Sequence, residues 1–213
     1  MKVSIIIPAQ NEEDYIARLL KYIRLNTKEL NVEDIIIVDT FQRDNMIKLA
    51  EKEHAKLFLC KQTELRMLFE VGAFEAKGEI LYFIKPGCFP PPSFDEKIIH
   101  SVERRFLSGA FRVRLIGANF FLKLFCHCFH SGISFSRTSQ TSFFITKRLF
   151  NCVGGYKYAG KLRSENEMFE IVGNQTKTEV INDYAMATGK NVDFSFNPFS
   201  TMKFIFRKLI VQF

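Results

Sequence analysis

Four places in this 213-residue chain set charged side chains where chemistry can use them. Three follow apolar runs: Pro8, Ala9, Asn11 and Glu12 after "VSIII", Asp39 to Asp44 after "DIIIV", and Lys85 to Cys88 after "ILYFI". The fourth is "SENE", where Glu165 and Glu167 fall in the first turn of a helix begun by Ser164. Carboxylates supply hydrogen-bond acceptors and proton bases, and an ammonium supplies charge to a phosphate. The segment "CHCFH" gathers Cys126, His127, Cys128 and His130 and suggests a metal. On a helix, however, Cys126 and Cys128 point about 200° apart. No second ligand pair stands at structural zinc spacing, so Cys128 reads better as core. The chain has no G-x-x-x-x-G-K-[ST] loop, no G-x-G-x-x-G, and no Ser-His-Asp or Cys-His constellation that stands out.

The elements that position these residues alternate. "VSIIIPA", "DIIIVDT" and "EILYFIK" are continuous apolar runs, as expected of strands buried on both faces. "NEEDYIARLLKYI" reads as a helix capped by Asn11, with Ile16, Leu19, Leu20 and Ile23 at helical spacing. "RDNMIKLAEKEHA" reads as a second helix, "KLFLC" as a short strand, and "ELRMLFEVGAFEAKG" as a helix closed by Gly78. Alternation of this kind over about the first 95 residues implies a parallel sheet with helices on both faces. Ligands of such sheets bind beyond the carboxyl ends of the strands. Pro8 to Glu12, Asp39 to Asp44 and Lys85 to Cys88 are therefore expected to meet on one edge. Farther on, "GAFRVRL" reads as a strand, "NFFLKLFCHCFH" as an amphipathic helix, and "TSFFITKRLFNCVGGY" as a strand, a short helix and a Gly154-Gly155 turn. "FSTMKFIFRKLIVQF" reads as a final amphipathic helix.

Composition narrows the partners. Thirty Lys and Arg against 23 Asp and Glu give a net charge of +7. That favours a phosphate-bearing ligand, nucleic acid or an anionic membrane surface. Nucleic acid is set aside, because no binding motif appears and the basic residues are spread out. There are 24 Phe and no Trp, and so many rings need burial or an apolar surface. In the last helix Met202, Ile205, Phe206, Leu209 and Phe213 share a face away from Lys203, Arg207 and Lys208. It can lie in an anionic interface or pack on the chain's own core, and both readings stand. Five scattered Cys fit a reduced, cytosolic chain, and no apolar stretch reaches the length that crosses a bilayer.

The order of these segments resembles glycosyltransferase family 2, the inverting GT-A enzymes that use nucleotide-sugar donors. "VSIIIPAQNEE" is similar to that family's opening strand and turn, and "DIIIVDTFQRDN" to its second, with Asp39 and Asp44 on the two acids. "AKGEILYFIKPGCFPPPSF" follows the rhythm of the third block. "GAFRVRL", "SFFITKRLFNCVGGY" and "VINDYAMATGK" resemble a short, single-domain bacterial branch.

The resemblance implies an α/β, GT-A-like (Rossmann-related) fold, a mostly parallel sheet flanked by helices. It implies one domain over 1–213, with a nucleotide-binding half over 1–95 and an acceptor half over 96–213. Pro8, Ala9, Asn11 and Glu12 would shape the base pocket, and Asp39 would accept a hydrogen bond from base or ribose. Asp44 is either a second nucleotide contact or an ordinary helix cap. Lys85, Pro86 and Gly87 align with the family's Asp-x-Asp motif, whose carboxylates hold a divalent ion against the diphosphate. Neither Lys85 nor Gly87 supplies an oxygen ligand, so no metal of the usual kind is expected. Either the Lys85 ammonium stands in for the ion, or the site has decayed and Lys85 is a solvated turn residue.

Further departures weigh toward decay. Asn166 stands where the family has the Asp of a Glu-Asp pair, and Gln140 stands near another acid. Glu165 and Glu167 are the candidate general bases; solvated first-turn acids are the plainer alternative. The resulting expectation is an inverting sugar transferase acting without the usual metal on an unknown acceptor, with a lipid-linked one as an option. The alternative is an inactive relative that binds a nucleotide, a partner or a membrane. The expected location is the cytoplasm, with peripheral contact at the inner face of the membrane as an option.

Overall fold

The computed structural model describes residues 1–41, 43–116, 141–158, 161–163 and 165–188. Strand β1 (Val3–Ala9) is buried at every residue. It runs parallel to β2 (Val32–Asp39) on one side and β4 (Ile80–Ile84) on the other. Strand β3 (Lys56–Leu59) extends the parallel run beyond β2. Alternate β1 residues serve opposite cores, which is why its sequence has no polar face. Ile5 and Ile7 pack with Ile16, Leu19, Leu20 and Ile23 of α1 (Glu13–Asn26). Ile6 packs with Leu68, Phe69 and Ala73 of α3 (Leu65–Glu75). Each such aliphatic side chain, taken fully out of water, contributes about 1.5–3 kcal/mol.

The second half reverses direction. After the two-residue β5 (Cys88–Phe89) comes α4 (Phe94–Glu103), then β6 (Ser108–Ile116), β7 (Ser142–Thr146) and α5 (Lys147–Cys152). A small hairpin, β8 (Lys157–Tyr158) and β9 (Lys161–Leu162), precedes α6 (Glu165–Gln175) and β10 (Thr178–Thr188). The main sheet has the order β3-β2-β1-β4-β7-β6-β10-β5. Strand β7 is antiparallel to β4 and β6, β6 and β10 are parallel, and β5 is antiparallel to β10. The expected mostly parallel α/β sheet is thus present, with its parallel run in the first half and the reversals in the second.

Several boundaries differ from the sequence reading, each for a local reason. Asn11 does not cap α1; it occupies the left-handed region at φ 66°, a conformation Asn tolerates, and Glu12 is the cap residue. Helix α2 (Asp44–Lys52) begins at Asp44, with Arg43 as its cap residue, so Asp44 is a first-turn acid rather than the cap. Gly78 does not close α3, which ends at Glu75 with Ala76 as cap. Gly78 instead presses against β1: its N–H bonds Ser4 Oγ at 2.8 Å, and a Cβ there would lie 2.8 Å from the Lys2 carbonyl oxygen. The proposed helices at 119–130 and 199–213, the "CHCFH" cluster, Gln140 and Ser164 lie outside the described residues.

Gly72 sets how closely α3 sits on the sheet. A Cβ added there would meet Ile6 Cγ2 at 2.3 Å. Gly72→Ala is therefore expected to lower unfolding stability by about 1–3 kcal/mol through overpacking, despite the better helix propensity of Ala. Urea unfolding checks it; an unchanged midpoint would mean that α3 is not seated on β1 this way.

Candidate nucleotide cleft

The register of β1 puts Ala9 opposite Asp39 on one side and Ile6 opposite Phe83 on the other. Counting forward from that pair, Pro8 and Lys85 leave the sheet at the same level. Because β1 lies between β2 and β4, the Asp39 and Lys85 backbones flank it, about 10 Å apart across two strand spacings. All three polar stretches leave the same carboxyl edge.

Asp39 is 1% exposed. Its Oδ1 accepts the backbone N–H groups of Thr40, at 2.7 Å, and Phe41, at 3.2 Å. The carboxylate thus folds the turn that follows it, while Oδ2 has no partner among the described residues. The Asp39 carbonyl accepts the Cys60 N–H at 2.8 Å, which fixes the strand end from the β3 side. Across the edge, Arg43 Nη1 pairs with Glu13 Oε1 at 3.1 Å, joining the turn after β2 to the start of α1. The same guanidinium lies over the Phe41 ring, 5.8 Å from its centroid. Gln10 donates its side-chain N–H to the Thr63 carbonyl, so it serves the loop before α3. Asp44 is exposed at the first turn of α2.

Lys85 opens a tight turn. Its N–H donates to the Thr141 carbonyl at 3.0 Å and its carbonyl accepts the Cys88 N–H at 3.1 Å. Pro86 at the second position and Gly87 at the third, with φ 80°, meet the requirements of a type II turn. Pro86 and Gly87 are therefore the residues that this turn requires. Burial pushes the Cys88 thiol up to about 11, and the nearby Lys85 charge acts in the opposite direction.

The two candidate bases stand at the start of α6. Glu165 is the first residue of α6, and Glu167, in the same turn, is exposed. What holds this region against α3 is a residue the sequence gave no reason to single out. Glu70 Oε2 accepts the Tyr156 N–H at 2.9 Å, and a Cβ on Gly155 would fall 2.6 Å from that oxygen. Gly154 and Gly155 take φ of 79° and 55° to make the turn. Arg66 Nη1 donates to the Arg163 carbonyl at 3.0 Å, so α3 grips the chain on both sides of the β8–β9 hairpin. Phe41, Arg43 and Glu70 were all missed. An aromatic in an otherwise polar turn was the available signal for Phe41; Glu70 had none, since its partner is 86 residues away.

A parallel β3-β2-β1-β4 run, acids at the end of β2 and an antiparallel half beyond β4 define the GT-A glycosyltransferase architecture. The model of the family described as Glycosyl transferase family 2 matches residues 4–158, and the chain belongs to that family. Among solved structures it is similar to S. aureus TarS 1–349, at a TM-score of 0.68 and 15% identity over 88% of this chain and 60% of that one. The same protein with UDP gives 0.68 over the same shares, and with UDP-GlcNAc 0.66 over 91% and 60%. The chain thus spans about 60% of the length of these structures. No curated protein matches it.

Glu12, beside the cleft, has its carboxyl raised above the usual value by burial. A raised carboxyl binds its proton more tightly folded than unfolded. Its contribution to stability is therefore lost as pH rises from about the ordinary 4.5 through the raised value. Glu12→Gln removes that loss. The variant is expected to equal or exceed the parent in stability at pH 7, with the difference closing below pH 4.5, in denaturant melts across that range. A variant less stable at pH 7 would show that the charge is stabilising where it sits.

Proposed function

We propose that the chain binds a nucleotide-diphosphate sugar at the carboxyl edge of β2-β1-β4 and passes the sugar to an acceptor hydroxyl with inversion. The carrying observation is that Asp39 and Lys85 flank β1 on the scaffold of a family whose TarS structures include UDP and UDP-GlcNAc complexes. Asp39 Oδ2 takes a hydrogen bond from the base or ribose, with Pro8, Ala9, Asn11 and Glu12 lining the base side. Asp44 adds negative charge at the rim and is the weaker contact. The Lys85 ammonium, with the Gly87 turn beside it, faces the diphosphate.

In the reaction the acceptor oxygen bonds to the anomeric carbon while the carbon–oxygen bond to the diphosphate breaks. Glu165 or Glu167 takes the hydroxyl proton. The leaving nucleoside diphosphate carries the negative charge away, and Lys85 offsets it as it develops. The family's divalent ion does not fit these residues. Lys85, Pro86 and Gly87 offer no carboxylate, and among the described residues no group of three or more His, Cys, Asp and Glu is placed to hold one. Among those residues, also, no helix is long and apolar enough to cross a membrane.

Asn166 in place of an acid favours a second reading, an inactive relative that keeps the binding site and has lost the transfer. Calorimetric titration separates the outcomes. UDP or GDP is expected to bind equally well in Mn²⁺ and in EDTA. Lys85→Ala is expected to weaken the diphosphate by about 10- to 100-fold, the worth of a charge-assisted contact, and to leave the free nucleoside unaffected. No nucleotide binding with or without Mn²⁺ would overturn the proposal. Binding without sugar transfer to any acceptor, unchanged by Glu165→Gln or Glu167→Gln, would select the inactive reading.

A further inference from the structure

We propose that Phe41 is the stacking platform for the nucleotide base, an inference that rests on the nucleotide-binding reading above. A base is bound by its edge and by its face. Asp39 can serve an edge, but a face needs a flat, desolvated surface. Neither Gln10 nor Asn11, in the turn after β1, supplies one, and Gln10 is committed to the Thr63 carbonyl. Two Phe are strongly exposed among the described residues: Phe41 at 56% and Phe74 at 82%. Phe74 lies near the end of α3, the helix that leads back to the amino end of β4, so it belongs to the opposite edge. Phe41 is two residues past Asp39, at the carboxyl edge.

Three contacts hold this residue in place although its ring is open to water. Its N–H is bound to Asp39 Oδ1 at 3.2 Å, the guanidinium of Arg43 lies over the ring, and Arg43 is tied to Glu13. With the cation against one face of the ring, the other is available to a base. The arrangement links face and edge recognition through one carboxylate. Oδ1 of Asp39 sets the Phe41 backbone, and Oδ2 remains for the base or sugar. Stacking accepts any base, so Phe41 supplies affinity and leaves discrimination to hydrogen bonds.

The chain has no Trp, which makes the test direct. In Phe41→Trp, all indole emission comes from the platform, and UDP or GDP is expected to quench it on binding. Phe74→Trp, at the far edge, is the control and is expected to stay unchanged. By calorimetry Phe41→Ala is expected to bind both diphosphates roughly 5- to 150-fold more weakly, the range for loss of one base–aromatic stack. Its thermal melt should match the parent, since the ring is exposed. If the parent binds UDP while Phe41→Ala binds it equally well and Phe41→Trp is not quenched, the platform is wrong and the cleft stands. If the parent binds no nucleotide, cleft and platform fall together.

Discussion

The buried carboxylate of Asp39 is the constraint on which the cleft depends. Withdrawing an acid to 1% exposure is costly unless its oxygens are satisfied. Here one oxygen is satisfied by the backbone of the next two residues. The strand therefore stops where it does, and the turn leaves at a fixed angle. Arg43 then lies where it reaches both Phe41 and Glu13. Because β1 and β2 are locked in register up to Ala9 and Asp39, the geometry carries over to the turn that leads into α1. A single acid thus organises two of the three loops on this edge.

The other half of the molecule depends on a second acid. Glu70, on α3, supplies the oxygen on which the Gly154-Gly155 turn closes, and its carboxyl is raised by burial while the Tyr156 and Lys157 backbone groups pull it down. Each of the two acids closes a turn by accepting backbone N–H groups. One shapes the turn after β2, and the other moors the hairpin that leads to α6. Helix α3 is the common beam, held flush to β1 by the absence of a side chain at Gly72.

Much of this was legible in the sequence where a signal is local. "VSIIIPA", "DIIIVDT" and "EILYFIK" are buried on both faces and read as continuous apolar runs, so β1, β2 and β4 were found with ends correct to within about two residues. Asp39 stood out because it ends such a run. What escaped was set by distant partners. Strand β5 has two residues and is defined by pairing with Met186 and Ala187, almost a hundred positions on. Helix α4 starts just after Ser93, which takes φ 54°, a conformation nothing in "PPPSF" announces. Gly78 was read as the end of a helix because glycine commonly plays that part. Its actual constraint, close approach to Ser4 and Lys2, exists only once β1 and β4 are paired.

The Lys85–Cys88 turn has a consequence for how this cleft could ever change. Gly87 adopts a backbone angle that a side chain resists, and Pro86 fixes the residue before it. An acid placed at 87 would start in a strained conformation, and one at 85 would find no companion. A pair of acids at 85 and 87 would thus require rebuilding the loop rather than exchanging letters in it. The lysine's neighbours act as a latch: the backbone that Pro86 and Gly87 set resists a change of side chain at its tip.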